Sequence, residues 1–162
     1  MQYMLGNHKQ KGQKMMYNLK VIKASIKDIP YILDLEKKQN IHILSEVSIK
    51  EDLNNSNYLY LLLKYNEKII GYIAVSFVID TMDILSIVIS KDYQKMGFAT
   101  YLLNYIFDFC RKNDIKTIFL EVRISNLAAI KLYEKCGFIK ISKRTNYYVD
   151  TNEDALIYKK EI

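Results

Sequence analysis

Proline and glycine are scarce, with one and five copies in 162 residues. There is no Gly/Ser/Pro-rich linker, internal repeat or low-complexity tract, which excludes a string of tethered modules and fits one domain of ordinary size. Two cysteines, Cys110 and Cys136, cannot build a disulfide framework or a CxxC pair, and suit a reducing cytoplasm. Two histidines, His8 and His42, leave no cluster for a metal and make a histidine base unexpected. No apolar run reaches the ~20 residues of a membrane span; the longest, Tyr72 to Ile79, is broken by Ser76 and followed by Asp80. Residues 1–16 lack the apolar stretch of a secretory signal. They read as a disordered leader, Met15-Met16 offering an alternative start, and residues 17–162 as the single domain.

What is present is a hydrophobic fraction of 50% and a charged fraction of 26%, the balance of a globular chain. The net charge of +6 suits an anionic ligand or nucleic acid. The lysines are scattered rather than striped, so a solvated basic surface is expected, with no direct nucleic-acid contact.

Patterning gives the order β-α-α-β-β-β-α-β-α-β-β. Residues 18–24 read as a strand. Ser25 with Asp28 resembles a capping box opening a helix to about Lys38, with Pro30 in its first turns. Residues 40–47 read as a loop, and Ser48 with Glu51 as a second capping box. Residues 58–65 and 68–79 form a hairpin around Asn66-Glu67, and 82–90 a central strand. Residues 97–113 are an amphipathic helix burying Leu102, Leu103, Ile106, Phe109 and Cys110. Residues 116–123 are a strand, and 126–136 a helix with Gly137 at a left-handed cap. Residues 138–148 and 155–160 close the chain as a strand pair. The class is α/β, a mixed α+β sheet that is not doubly wound, with parallel pairing in the middle and hairpins elsewhere.

The turn from the central strand into the amphipathic helix runs Ser90-Lys91-Asp92-Tyr93-Gln94-Lys95-Met96-Gly97-Phe98-Ala99-Thr100. The first N–H groups of a helix lack intrahelical partners and carry partial positive charge, which suits a pyrophosphate. One glycine at such a turn is usually plain turn chemistry. Neither GxGxxG nor GxxxxGK[ST] is present, so dinucleotide and P-loop readings are disfavoured.

Read together, Ile84-Leu85-Ser86-Ile87-Val88-Ile89 followed by Gln94-x-x-Gly97-x-Ala99 resembles the coenzyme A signature of GNAT acetyltransferases. The later run, Leu120-Glu121-Val122-Arg123 and Ser125-Asn126-Leu127-Ala128-Ala129-Ile130-Lys131-Leu132-Tyr133-Glu134-Lys135-Cys136-Gly137-Phe138, resembles that family's second block. Its wording is similar to the RimI type, the ribosomal-protein-alanine acetyltransferases, as is the ending Arg144-x-Asn146-Tyr147-Tyr148. The resemblance implies the acyl-CoA N-acyltransferase fold, about seven strands with a splayed central parallel pair and about four helices. It implies acetyl-CoA as cosubstrate and no metal. The acceptor would be a protein N-terminus, first among them the alanine of a small-subunit ribosomal protein. Another protein N-terminus, a lysine or a small amine stays open, as does a non-catalytic coenzyme A- or nucleic-acid-binding module. A monomer or weak dimer in the cytoplasm is expected.

Carried onto this chain, the resemblance gives the backbone of Ile87, Val88 and Ile89 to the pantetheine. It gives Gln94, Lys95, Met96, Gly97, Phe98, Ala99 and Thr100 to the pyrophosphate loop, and Asn126 to the pantetheine arm. Asn126, Ala129, Ile130 and Tyr133 recur at one-face helical spacing, in agreement. An α-amino group has a pKa near 8 and must lose a proton to attack. The resemblance makes Glu121 the acceptor of that proton and Tyr133 the donor to the departing thiolate. Taken alone, Glu121 reads as an ordinary solvent-facing strand residue and Tyr133 as core packing. Tyr147 and Tyr148 resemble a peptide-binding pair, with a plain strand-edge pair as the alternative. Arg123 and Arg144 read as structural or solvent-facing. His42-Ile43-Leu44-Ser45-Glu46 departs from the aromatic or Pro-Trp-Ser loop usual in the RimI type. That departure bears on which peptide is selected and leaves the coenzyme site untouched.

Overall fold

The computed structural model describes residues 18–39, 41 and 43–162. The 1–16 leader with His8, and His42 of the departing loop, lie outside the described residues. The elements are β1 (Leu19–Lys23), α1 (Ile29–Lys37), α2 (Glu46–Leu53), β2 (Tyr58–Tyr65), β3 (Lys68–Val78) and β4 (Thr81–Ile89), then α3 (Phe98–Lys112), β5 (Thr117–Arg123), α4 (Leu127–Lys135), β6 (Ile139–Tyr148) and β7 (Glu153–Glu161). The seven strands form one sheet in the order β1-β2-β3-β4-β5-β7-β6. Among the described residues only β4 and β5 pair in parallel; the other neighbours are antiparallel.

Each face of the sheet has its own core. On one face, α3 and α4 pack over Ile73, Val75, Met82, Ile84, Ile118, Leu120 and Val122. On the other, Ile29, Ile32, Leu35 and Ile49 of α1 and α2 pack over Tyr60, Leu62, Tyr72, Ala74 and Val88. The α3 face buries Leu102, Leu103, Ile106 and Cys110 as its spacing predicts, but Phe107 goes into the core and Phe109 lies at the margin against Phe77, centroids 5.8 Å apart. Burial pushes the Cys110 thiol up to about 11, the behaviour of a packed, unreactive thiol.

Two helix starts differ from expectation. Ser25 and Asp28 do interact, the Ser25 N–H donating to Asp28 Oδ2 at 2.8 Å, but they open a 3-10 turn, and α1 proper begins at Ile29. The cap of α2 is Ser45, not Ser48: Ser45 Oγ accepts from the Ser48 N–H at 3.0 Å. Ser45 has the extended backbone a cap needs, which places Ser48 inside the first turn as donor. The loop therefore ends at Ser45.

The feature that makes a site is the divergence of β4 from β5. Their ladder runs only from Thr81↔Thr117 to Ile84↔Leu120. Beyond it β4 stays with β3 to Gly71↔Ile89, and β5 stays with β7 to Arg123↔Ala155. Ala74 pairs with Ser86 while Val75 pairs with Ile84, so Leu85 is an extra bulged residue. A bulge bends its strand and shifts its alternation. Met82 and Ile84 therefore share a face with Ile87 and Ile89, while Ser86 and Val88 turn to the α1 side. Gly71 holds the far edge of this bent strand. A Cβ there would sit 2.6 Å from the Val88 carbonyl oxygen and 2.6 Å from Ile89 Cδ1. Gly71→Ala is expected to lower stability by about 1–3 kcal/mol, the usual range for overpacking against backbone. Chemical denaturation of the two proteins measures it, and equal midpoints would mean the strand gives way at no cost.

Candidate active site

The wedge between the diverging strands opens into a cavity of about 1390 Å³ that gathers residues from β4, β5, α3, α4 and β6. Its first wall is the edge of β4. Among the described residues, Ile87 to Ile89 have a strand partner on the β3 side only. Ile87 and Ile89 line the cavity; the Val88 side chain is 3% exposed in the opposite core, so Val88 offers backbone alone.

The loop after β4 is braced from outside. Gln94 Nε2 donates to the Ile89 carbonyl at 2.9 Å and to Gln39 Oε1 at 2.8 Å. Gln94 is thus a strut tying the loop to the strand it leaves. Lys95 and Gly97 take left-handed backbone, φ 62° and 87°. Gly97 caps α3 without a side-chain hydrogen bond, and a Cβ there would meet nothing within 4 Å. The first intrahelical bond runs from the Tyr101 N–H to the Gly97 carbonyl at 3.0 Å. The N–H groups of Phe98, Ala99 and Thr100 therefore have no partner within the helix, and all three residues line the cavity. Phe98 turns away to pack on Tyr65 and Tyr93, centroids 5.5 and 6.3 Å away. Met96 is 57% exposed and does not line the cavity.

Across the wedge, Asn126 is the N-cap of α4. Its Oδ1 accepts from the Ala129 N–H at 3.1 Å, which leaves its Nδ2 as the group available to a ligand. About two turns on, Tyr133 is 6% exposed with its ring edge-on to Phe138 at 5.6 Å. The side chain lines the cavity. Burial first, then the neighbouring Tyr148 and Cys136, push this phenol above its ordinary value, so it stays protonated across the neutral range.

Strand alternation sends Ile118, Leu120 and Val122 into the α3 and α4 core and Glu121 to the other face. Glu121 Oε1 lies 2.7 Å from an Arg144 guanidinium nitrogen, at the floor of the cavity. Hydrogen bonding to Glu121 pushes the Tyr147 phenol up, with burial adding to it, and burial pushes up Tyr148. The two rings meet edge-to-face at 5.2 Å. Arg144 lies 5.3 Å from the Tyr147 ring centre and Arg123 3.9 Å from that of Tyr148. Arg123 is held in turn by Asp150 at 2.9 Å and Glu153 at 3.4 Å, so it braces the hairpin as expected. Arg144 is exposed, in keeping with its reading as structural or solvent-facing, but its reach to Glu121 went unread. Asp83 also went unread; it shares the open face with Glu121, and desolvation, then the Glu121 charge, push its carboxyl up. Both were hidden because the partner is on another strand: Arg144 pairs with Ala155 of β7, which lies between β6 and β5. Among the described residues no group of His, Cys, Asp and Glu could hold a metal ion.

Residues 29–138 match the model of the Acetyltransferase (GNAT) family. The chain is 34% identical over 132 residues to the [ribosomal protein bS18]-alanine N-acetyltransferase of Escherichia coli strain K12, covering 80% of this chain and 88% of that protein. It is 30% identical to a putative enzyme of the same description from Bacillus subtilis strain 168, covering 82% and 88%. The crystal structure of the ribosomal-protein-S18-alanine N-acetyltransferase from Escherichia coli superposes with a TM-score of 0.82 at 32% identity, over 89% of this chain and 94% of that one. With its splayed parallel pair, its seven-stranded mixed sheet and this family match, the chain belongs to the GNAT acetyltransferase family and is an acetyl-CoA-dependent N-acetyltransferase.

Proposed function

We propose that the chain acetylates a protein N-terminus, with the alanine of a small-subunit ribosomal protein as the first acceptor to test. The observation that carries this is the meeting of three things in one cavity: an unpaired β4 edge with free helix amides, the Glu121 carboxylate, and the Tyr133 hydroxyl. The identity to alanine N-acetyltransferases supports the acceptor class.

On this reading, coenzyme A supplies a thioester whose acetyl carbon is open to attack by a neutral amine. The edge of Ile87, Val88 and Ile89 hydrogen-bonds the pantetheine amides as a further strand would. The amides of the Lys95–Thr100 loop hold the pyrophosphate, and Lys95 adds a cation. Asn126 Nδ2 donates to the pantetheine arm. Tyr147 and Tyr148 wall the acceptor side. The acceptor's ammonium replaces the Arg144 head group at Glu121, and Glu121 takes its proton directly or through one water. Nitrogen attacks the acetyl carbon, the carbon–sulfur bond breaks, and the Tyr133 hydroxyl protonates the departing thiolate.

Mass spectrometry of an alanine-initiated ribosomal peptide incubated with enzyme and acetyl-CoA is expected to show a 42 Da addition on the α-amine. The same peptide with a blocked N-terminus separates lysine acetylation from it, and no product from the free N-terminus would remove the acceptor assignment. Binding to the native state alone stabilises by about 2.7 kcal/mol at a hundredfold excess over Kd. For a chain of this size that is a rise in Tm of roughly 5–10 °C. An unchanged Tm at millimolar acetyl-CoA would contradict the cradle described above.

A further inference from the structure

The acceptor side of the cavity rests on a buried carboxylate that acetyl transfer does not use. Glu36 of α1 is 2% exposed. Its Oε1 accepts the proton of the Tyr72 hydroxyl. Its Oε2 accepts from the Ile43 N–H at 3.1 Å, with the Leu44 N–H at 3.5 Å. Its own carbonyl accepts from the Ile41 N–H at 3.1 Å. Among the described residues no cation pairs with it, so its charge is held by these donors alone, and a buried carboxylate persists only where such donors are complete.

The donors go somewhere useful. Ile41, Ile43 and Leu44 line the cavity on the sheet face that carries Glu121. Tyr72 has one hydroxyl proton, and it is given to Glu36. The 2.8 Å contact between Tyr72 and Ser86 is therefore made with the Ser86 hydroxyl donating. Ser86 is left with only lone pairs to offer. It lines the cavity beside the bulge at Leu85, where β4 leaves β5.

We infer that Glu36 is the positioning residue of the acceptor site: it fixes the wall made by Ile41, Ile43 and Leu44, and through Tyr72 it sets Ser86 as a hydrogen-bond acceptor toward the incoming N–H groups. The acceptor's identity in this inference rests on the N-terminal acetylation proposed above; the wall itself rests on geometry.

The experiment compares Glu36→Gln and Tyr72→Phe with wild type, using the alanine-initiated peptide. Glutamine offers one acceptor and one donor where the carboxylate offers two acceptors, so either the wall or Tyr72 loses its partner. Peptide KM is expected to rise about tenfold in Glu36→Gln and about threefold in Tyr72→Phe, with kcat and the acetyl-CoA Kd each within about twofold. Amide exchange at Ile43 and Leu44 is expected to speed about tenfold in Glu36→Gln. Unchanged peptide KM in both variants, with an active wild type, overturns the inference. So does an acetyl-CoA Kd that weakens in step with the peptide KM, since that marks general loosening. If wild type acetylates no N-terminal peptide, the proposed acceptor fails separately, and the exchange rates still decide the wall. If Glu36→Gln does not fold, Tyr72→Phe carries the test through its peptide KM.

Discussion

Glu121→Gln is expected to lower kcat/KM for the peptide about a hundredfold or more at pH 7, while the acetyl-CoA Kd stays within about twofold. Glutamine keeps the size and one acceptor oxygen but cannot take a proton. The groups proposed to hold the cofactor are on the β4 edge and the α3 amides, away from the β5 face that carries Glu121. The Arg144 pair does not protect Glu121 from this role. Its partners are 54% and 28% exposed, and such a pair contributes under about 1 kcal/mol, so an ammonium can displace it. The pH dependence separates a proton acceptor from a mere contact. Below about pH 8 most α-amines are protonated, and an acceptor for the proton is needed; above it the amine arrives neutral. The deficit of the variant should therefore be largest at pH 6–7 and shrink toward pH 9. A constant deficit across that range would make Glu121 a binding residue, and equal turnover at a saturating peptide would remove it from the mechanism.

Much of this fold was legible because it is written in local pattern. The Tyr58–Tyr65 strand, the turn at Asn66-Glu67 and the left-handed Gly137, with φ 85°, each follow from residues next to one another. The strand-to-helix turn at Gly97 was legible for the same reason. What resisted reading depends on partners far apart in sequence. The bulge at Leu85 has no signature of its own in the sequence; it exists because Ser86 and Ile84 pair with consecutive residues of β3. Glu36 looks like one more charge at the end of a helix, and only the arrival of Tyr72 from β3 and of the 43–44 amides makes it a buried acceptor. Ser48 misled because capping boxes are judged by spacing, while Ser45, with its extended backbone, already occupies the cap. Arg144 is solvated, as a strand arginine ordinarily is, and only its reach across to Glu121 escaped reading, because that depends on the order in which β5, β7 and β6 assemble. In the site itself, Asn126 caps α4 through Oδ1, a role its sequence reading did not include, and the ligand role expected of it falls to the other atom of the amide, Nδ2.

Tyr133→Phe tests the other half of the reaction, and here the structural cost is small enough to isolate the chemistry. The ring keeps its edge contact with Phe138 and its place against the core. Tm should move little. The thiolate leaving group has an ordinary pKa near 8.5, so it leaves far better when protonated in the same step. Burial raises the Tyr133 phenol and keeps its proton in place at neutral pH, so the donor is loaded, though as a weaker acid than a free phenol. Removing the donor is expected to slow the chemical step about 10–100-fold, within the range for general acids. Product release can set kcat in such enzymes and mask part of the loss, so the measurement is a single-turnover rate with enzyme in excess. A rate within twofold of wild type under those conditions would leave Tyr133 as core packing and require the proton to come from solvent. A slowed rate with unchanged Tm and unchanged acetyl-CoA affinity leaves proton donation as the role the geometry supports.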